Sequence, residues 1–77
     1  MMPDDQGEMA REVVISGQRY WIVSEPVATA WRATVLEVLD AEGRVTHDVG
    51  IFATAETRGA ADEAALGQLQ RHVRAHH

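Results

Sequence analysis

The aromatic residues are the first group in this sequence that could bind a ligand or a partner. Tyr20 and Trp21 are adjacent, Trp31 follows, and Phe52 comes later in the chain. Neighbouring residues of a β-strand point to opposite faces, so either Tyr20 or Trp21 must lie on whichever face a sheet leaves uncovered. Trp and Tyr dominate protein interfaces, and aromatic rings also stack on bases. We therefore predict that Tyr20, Trp21, Trp31 and Arg32 form a binding set on an exposed sheet face; packing beneath loops or the N-terminal segment is the alternative.

The histidines are the second group. His72 and His76 are four residues apart, which places two potential metal ligands on one face of a helix. The glutamate that a zinc protease carries between its histidines is missing, and cations at a helix C-terminus are explained by the helix dipole. We therefore predict no metal site, with His72 and His76 as the candidates if one exists. His47 is predicted to be a buried neutral histidine on the apolar face of a strand, with pH sensing as the alternative.

The nucleophiles and acids form no catalytic set. The chain has no cysteine, and its only serines, Ser16 and Ser24, fall in predicted turns. Neither lies in a nucleophile elbow or a phosphate-binding loop. Two acidic pairs lie in the N-terminal segment and near a helix start, where solvation and the dipole account for them. The sequence therefore predicts a protein that is not an enzyme and uses no cofactor.

Charge and length limit the partners. Twelve acidic and seven basic residues give the 77-residue chain a net charge of −5, and the arginines are spread along it, which disfavours binding to nucleic acid. A chain of this length forms one domain with a small core, so self-association as a homodimer is an expected source of stability. The N-terminus lacks the features of a secretory signal, and no apolar run approaches the roughly 20 residues of a membrane span. We therefore predict a cytoplasmic protein without membrane contact.

The elements that would position these residues are strands followed by a helix. Residues 1–10 are predicted to be a mobile acidic tail and residues 11–77 a single α+β domain. Short β-branched and aromatic runs predict strands at 12–15 and 19–23 around a Ser16–Gln18 turn, with Glu25-Pro26 ending the second strand. Residues 29–39 are predicted to form the third strand. Its alternation fails near Val35-Leu36, so either a bulge switches its faces there or both faces are covered at that end.

The fourth strand and the helix complete the fold. After the Asp40–Gly43 turn, residues 44–53 show the clearest two-residue alternation, and Gly50 marks a bulge or a close approach by a neighbour. Thr57 is the predicted N-cap of the helix. The helix carries a narrow apolar stripe of Ala61, Ala65, Leu66, Leu69 and Val73. The expected fold is a four-stranded antiparallel meander with one helix on one face, which leaves the other face for function.

Several segments carry a resemblance to known proteins: Gln18–Val23, the Trp-x-Ala-x-Val strand from Trp31, Gly43, Phe52–Thr54 and the alanine-rich helix from Ala60. Over residues 18–75 the chain resembles a group of small proteobacterial proteins of unknown function, and its layout is similar to HicB-type antitoxin domains and to double-stranded-RNA-binding folds. The likeness to HicB-type domains would imply toxin neutralisation. The likeness to double-stranded-RNA-binding folds would imply a basic helix start, whereas Asp62 and Glu63 are acidic.

Taken together, these patterns predict a non-enzymatic protein-interaction module that binds a protein partner or a second copy of itself. A nucleic-acid-binding or antitoxin-like regulatory domain is the alternative.

Overall fold

A computed structural model of the protein describes residues 10–75. They form four strands, β1 (Ala10–Ile15), β2 (Gln18–Val27), β3 (Ala30–Val38) and β4 (Thr46–Ala55), and then helix α1 (Arg58–Ala75). The strands make one antiparallel sheet in the order β1-β2-β3-β4. This confirms the predicted α+β meander with one C-terminal helix. The predicted tail of residues 1–10 lies outside the described residues except for Ala10, which is the first residue of β1.

Tight turns join the first three strands. Ser16 and Gly17 both have positive φ angles, 53° and 81°, the combination that a two-residue hairpin needs to match the twist of its strands. The predicted end of the second strand at Glu25-Pro26 is wrong, because β2 continues to Val27 and pairs with β3 along this whole segment. Val27 and Ala30 close the next hairpin, so the nitrogen of Pro26 points away from β3 and that ladder loses no bond.

The helix packs on one face of the sheet. Its buried residues Ala61, Ala65 and Leu69 contact a core formed by alternate residues of the strands, which are Tyr20, Ile22, Ala33, Val35, Ile51 and Ala53. Alanines at the start of the apolar stripe let the helix axis lie close to the strands. Thr57 caps the helix as predicted, since its Oγ1 accepts a hydrogen bond from the N–H of Ala60 at 3.1 Å.

Strand β4 contains a bulge. Thr34 pairs with Phe52 and Leu36 pairs with Asp48, so two steps along β3 correspond to four along β4. Gly50 has a φ of 80° and donates its N–H to Asp48 Oδ1 at 2.8 Å. The irregularity therefore lies beside Val35, as predicted, but the additional residues belong to β4 rather than β3.

Because β3 itself is regular, its faces do not switch. Leu36 and Val38 lie on the face of Arg32, opposite the helix, and Val38 is only 4% exposed there. Both faces of the sheet are therefore covered at this end, which was the second of the two alternatives. His47 is exposed, so the prediction of a buried histidine is wrong. His47 lies beyond the bulge and pairs with Glu37. The two-residue alternation of the sequence continues to this point, but the core that the helix covers does not extend this far.

Candidate interaction face

The structure corrects the placement of two of the four candidate binding residues. Tyr20 lies on the helix-covered face and is 8% exposed, and loss of hydration there raises the pKa of its phenol above the ordinary value. Trp31 lies on the same face, half-buried against the core. The guanidinium carbon of Arg58 is 6.0 Å from the centre of a Trp31 ring. Both aromatic residues therefore take part in packing between the helix and the sheet.

Trp21 and Arg32 lie on the opposite face, which we call the open face. It is defined by strand register and comprises Ala10, Glu12, Val14, Arg19, Trp21, Val23, Glu25, Val27, Ala30, Arg32, Thr34, Leu36, Val38, Thr46, Asp48, Phe52 and Thr54. Ser24, predicted to lie in a turn, is instead buried in β2 on the helix-covered face. The open face is thus a mixed surface that carries both apolar and charged residues.

One end of the open face is covered by the loop between β3 and β4. This loop closes on itself because Leu39 N–H donates to Val45 O at 2.8 Å and Val45 N–H donates to Asp40 Oδ1 at 2.9 Å. The bond from Val45 stabilises the ionised carboxylate and holds the pKa of Asp40 below its ordinary value. The loop is therefore a structured element with internal hydrogen bonds.

Trp21 packs beneath this loop. A Cβ atom added at Gly43, which has a φ of 75°, would lie 2.8 Å from both Cη2 and Cζ2 of Trp21. Trp21 is therefore half-buried, and its indole contacts the protein's own loop. Only a residue without a side chain fits between the loop backbone and the indole at this φ, so Gly43 is required at its position.

Polar side chains of β2 fasten the same end. Gln18 Nε2 donates to Val38 O at 2.7 Å, and Arg19 Nη1 donates to Ala41 O at 3.0 Å. Arg19 also binds Glu12 through two contacts of 3.3 Å, Nε to Oε2 and Nη2 to Oε1. The bond to Arg19 lowers the pKa of Glu12. Arg19 is thus committed to internal partners.

The other end of the open face carries what we call the uncovered patch. It consists of two rows running across the strands, Val23–Thr34–Phe52 and Glu25–Arg32–Thr54. Phe52 is 57% exposed, and the guanidinium carbon of Arg32 lies 5.8 Å from the centre of its ring. Glu25 is directly opposite Arg32 in the sheet. An exposed aromatic ring with an arginine beside it is well suited to contact another macromolecule.

Phe52 is the residue that the sequence-based site omitted. Strand alternation already placed it opposite Ile51 and Ala53, so its position on the face away from the core could have been found from the sequence. The sequence could not show that the loop would occupy Trp21 while leaving Phe52 exposed, because that depends on how residues 39–45 fold over the sheet.

Ser16 and His72 are the remaining described groups to consider for catalysis or metal binding. A cavity of about 360 Å³ between the β1–β2 turn and the end of α1 is lined by Ile15, Ser16, Gln70, Val73 and Arg74. It holds no acid or histidine that could activate Ser16. No group of three metal-binding side chains occurs within the described range. Of the two metal candidates, His72 is half-buried on α1 and His76 lies outside that range.

Asp62, in the second turn of α1, is a partly buried carboxylate. Its Oδ1 atom is buried without a hydrogen-bond partner. Loss of hydration raises the pKa of Asp62 above the ordinary value of 3.8, although the positive charges of Arg58 and Arg11 act in the opposite direction. The ionised form of Asp62 is therefore less stable in the folded protein than in water.

Comparison with known proteins gives no relative: the chain matches no family model, no curated protein and no solved structure. Within residues 10–75, α1 lacks the apolar character that a membrane-crossing helix requires.

Proposed function

We propose that this protein is a non-enzymatic protein-interaction module whose uncovered patch binds an apolar protein surface. The exposure of Phe52 carries the proposal. The ring is the largest apolar side chain on the open face that the chain's own loop does not cover, and Arg32 extends its contact surface. Interface energy concentrates on such aromatic and arginine anchors.

The charges of the open face favour protein over nucleic acid. Of its two arginines, Arg19 is held by Glu12 and the loop, and Arg32 faces Glu25. A phosphate backbone would meet three carboxylates on this face, those of Glu12, Glu25 and Asp48. Nucleic-acid affinity rests largely on phosphate neutralisation, which this arrangement does not provide.

The test compares three immobilised proteins: the unchanged chain, Phe52→Ser and Leu39→Ser. Leu39 is the matched control, because it is 55% exposed and lies in the loop outside the open face. Each protein is exposed to lysate of the native cell and to labelled single-stranded RNA at low salt. We expect the unchanged chain and Leu39→Ser to retain one protein in near-stoichiometric amount, and Phe52→Ser to lose it.

Three outcomes would contradict the proposal. These are that no protein is retained, that Phe52→Ser retains it equally, or that RNA alone is bound in a salt-dependent manner. Far-UV circular dichroism of all three proteins establishes that a loss of binding is not a loss of folding.

A further inference from the structure

We infer that the partner on the open face is a second copy of this chain, packed face to face about a twofold axis. This inference rests on the proposed function and names its partner. The pair would form four layers, helix, sheet, sheet and helix, with the two uncovered patches in contact. Sheets pack in this way about 10 Å apart when their facing side chains interdigitate.

The size of the open face limits how strong the pair can be. Four strands spaced about 4.8 Å apart and about 30 Å long present on the order of 600 Å². Two whole faces in contact would bury about 1,200 Å², the lower end of the range for specific, stable interfaces. Because the loop covers one end, contact between the uncovered patches buries less, which is typical of a weak dimer.

The charges of the face also fit a second copy. The chain carries −5 overall, but the open face has three acids, Glu12, Glu25 and Asp48, against two arginines. Most of the charge excess therefore lies elsewhere and does not oppose contact. In a twofold contact, residue i meets residue j and j meets i, so one Arg32–Glu25 contact between copies implies a second.

Edge-to-edge pairing of the sheets is disfavoured at both edges. On β4, the bulge at Gly50 and the Asp48 side chain bound to its N–H interrupt the regular ladder. On β1, Arg11 points toward the helix side, where its Nη1 lies 3.6 Å from Glu63 Oε2. Bulges and charged side chains on an edge strand are devices that disfavour strand addition. The face, and not the edge, is therefore the available surface.

Self-association would add stability to a protein whose own core is small. In the part of the chain that the structure describes, ten apolar residues are buried, and four of these are alanines: Ala33, Ala53, Ala61 and Ala65. A core of this kind supplies little apolar burial per residue. Contact between two open faces adds the burial that one helix on one side of a sheet cannot provide.

The first test is sedimentation equilibrium from about 1 to 200 µM, a range that spans ordinary dimer affinities. The unchanged chain is expected to approach twice its mass of 8.5 kDa. Phe52→Glu is expected to raise the dissociation constant at least tenfold, because it replaces the exposed ring of the uncovered patch with a charge, whereas Leu39→Glu leaves it within about twofold. Circular dichroism checks folding throughout.

The second test uses charge complementation. In the Glu25–Arg32–Thr54 row, Glu25→Arg makes both charged side chains basic, and Arg32→Glu makes both acidic. Each variant alone is expected to be a monomer because like charges meet across the twofold axis, and an equimolar mixture of the two is expected to restore the dimer mass. A mixture that remains monomeric would overturn the face-to-face arrangement, as would a dimer that Phe52→Glu does not weaken.

A monomer throughout the concentration range overturns the second-copy inference. If a Phe52-dependent protein is then captured from lysate, the proposed function stands with a different partner; if nothing is captured, both fail.

Discussion

Replacing Gly43 with alanine tests the contact that covers one end of the open face. The new Cβ would lie 2.8 Å from two ring atoms of Trp21, and the backbone φ of 75° is one that alanine rarely adopts. The side chain cannot be accommodated unless the loop or the indole moves. The substitution is therefore expected to lower the free energy of unfolding for two separate reasons.

The magnitude can be built from those two causes. A left-handed φ costs a non-glycine residue about 1–2 kcal/mol, and forcing extra volume into a packed contact costs about 1–3 kcal/mol. The total is about 2–5 kcal/mol, against about 4–12 kcal/mol expected for the whole stability of a chain this long. Gly43→Ala should thus remove a large share of the protein's stability.

Urea titrations followed by far-UV circular dichroism at one protein concentration measure the effect without using Trp21 as the probe. Gly17→Ala is the matched control, since Gly17 has a φ of 81° with no atom within 4 Å of the added Cβ. It should cost only the backbone strain, about 1–2 kcal/mol. In a Trp21→Phe background the clashing ring atoms are gone, so the cost of Gly43→Ala should fall to that of the control.

Two results would refute this reasoning. One is a Gly43→Ala cost no larger than that of Gly17→Ala, and the other is a cost that Trp21→Phe leaves unchanged. If Gly43→Ala is unfolded in water while Gly17→Ala is folded, the result supports the larger magnitude, and recovery of folding by Trp21→Phe would assign it to the ring.

Three further substitutions test the core, the helix cap and the buried acid, each by urea titration. Leu69→Ala should cost about 2–5 kcal/mol because the side chain is fully buried, whereas Leu66→Ala, partly buried one turn earlier, should cost less; equal costs would contradict the assigned core. Thr57→Ala should cost about 1 kcal/mol through loss of the bond to the Ala60 N–H, and Thr29→Ala, in an exposed turn, should be near neutral. Asp62 has a raised pKa when folded, so the native state binds its proton more tightly and stability falls as pH rises through the window above 3.8. The stability of Asp62→Asn minus that of the unchanged chain should therefore be larger at pH 7 than at pH 4. A difference that is equal at the two pH values, or larger at pH 4, would exclude this assignment.

Both tryptophans pack against other parts of the protein's own chain. Trp21 is paired with Gly43, and Trp31 is paired with the start of the helix. The exposed aromatic residue on the open face is Phe52, which lies in the row next to that of Trp21. The face therefore separates into a structural end and a patch available for contact.

The sequence by itself determined the fold and much of its detail. The four strands, a hairpin turn at Ser16-Gly17, the helix stripe and the Thr57 cap are local properties that the sequence indicates, although Gln18, predicted in the turn, begins β2 and a bulge interrupts the alternation in β4. Local rules succeed here because backbone sterics, hydrogen bonding of the first helical turn and side-chain periodicity act over only a few residues. The same rules placed Phe52 away from the core.

Only the tertiary structure decided which aromatic side chains are exposed. Adjacent Tyr20 and Trp21 had to face opposite ways, but the side that receives the helix is chosen by the summed burial of all four strands. Whether β2 continued past Pro26 depended on which neighbour the missing N–H would have faced, and whether His47 was buried depended on how far the packing reached. The loop that covers Trp21 joins residues more than twenty positions apart, and no local pattern encodes such a contact.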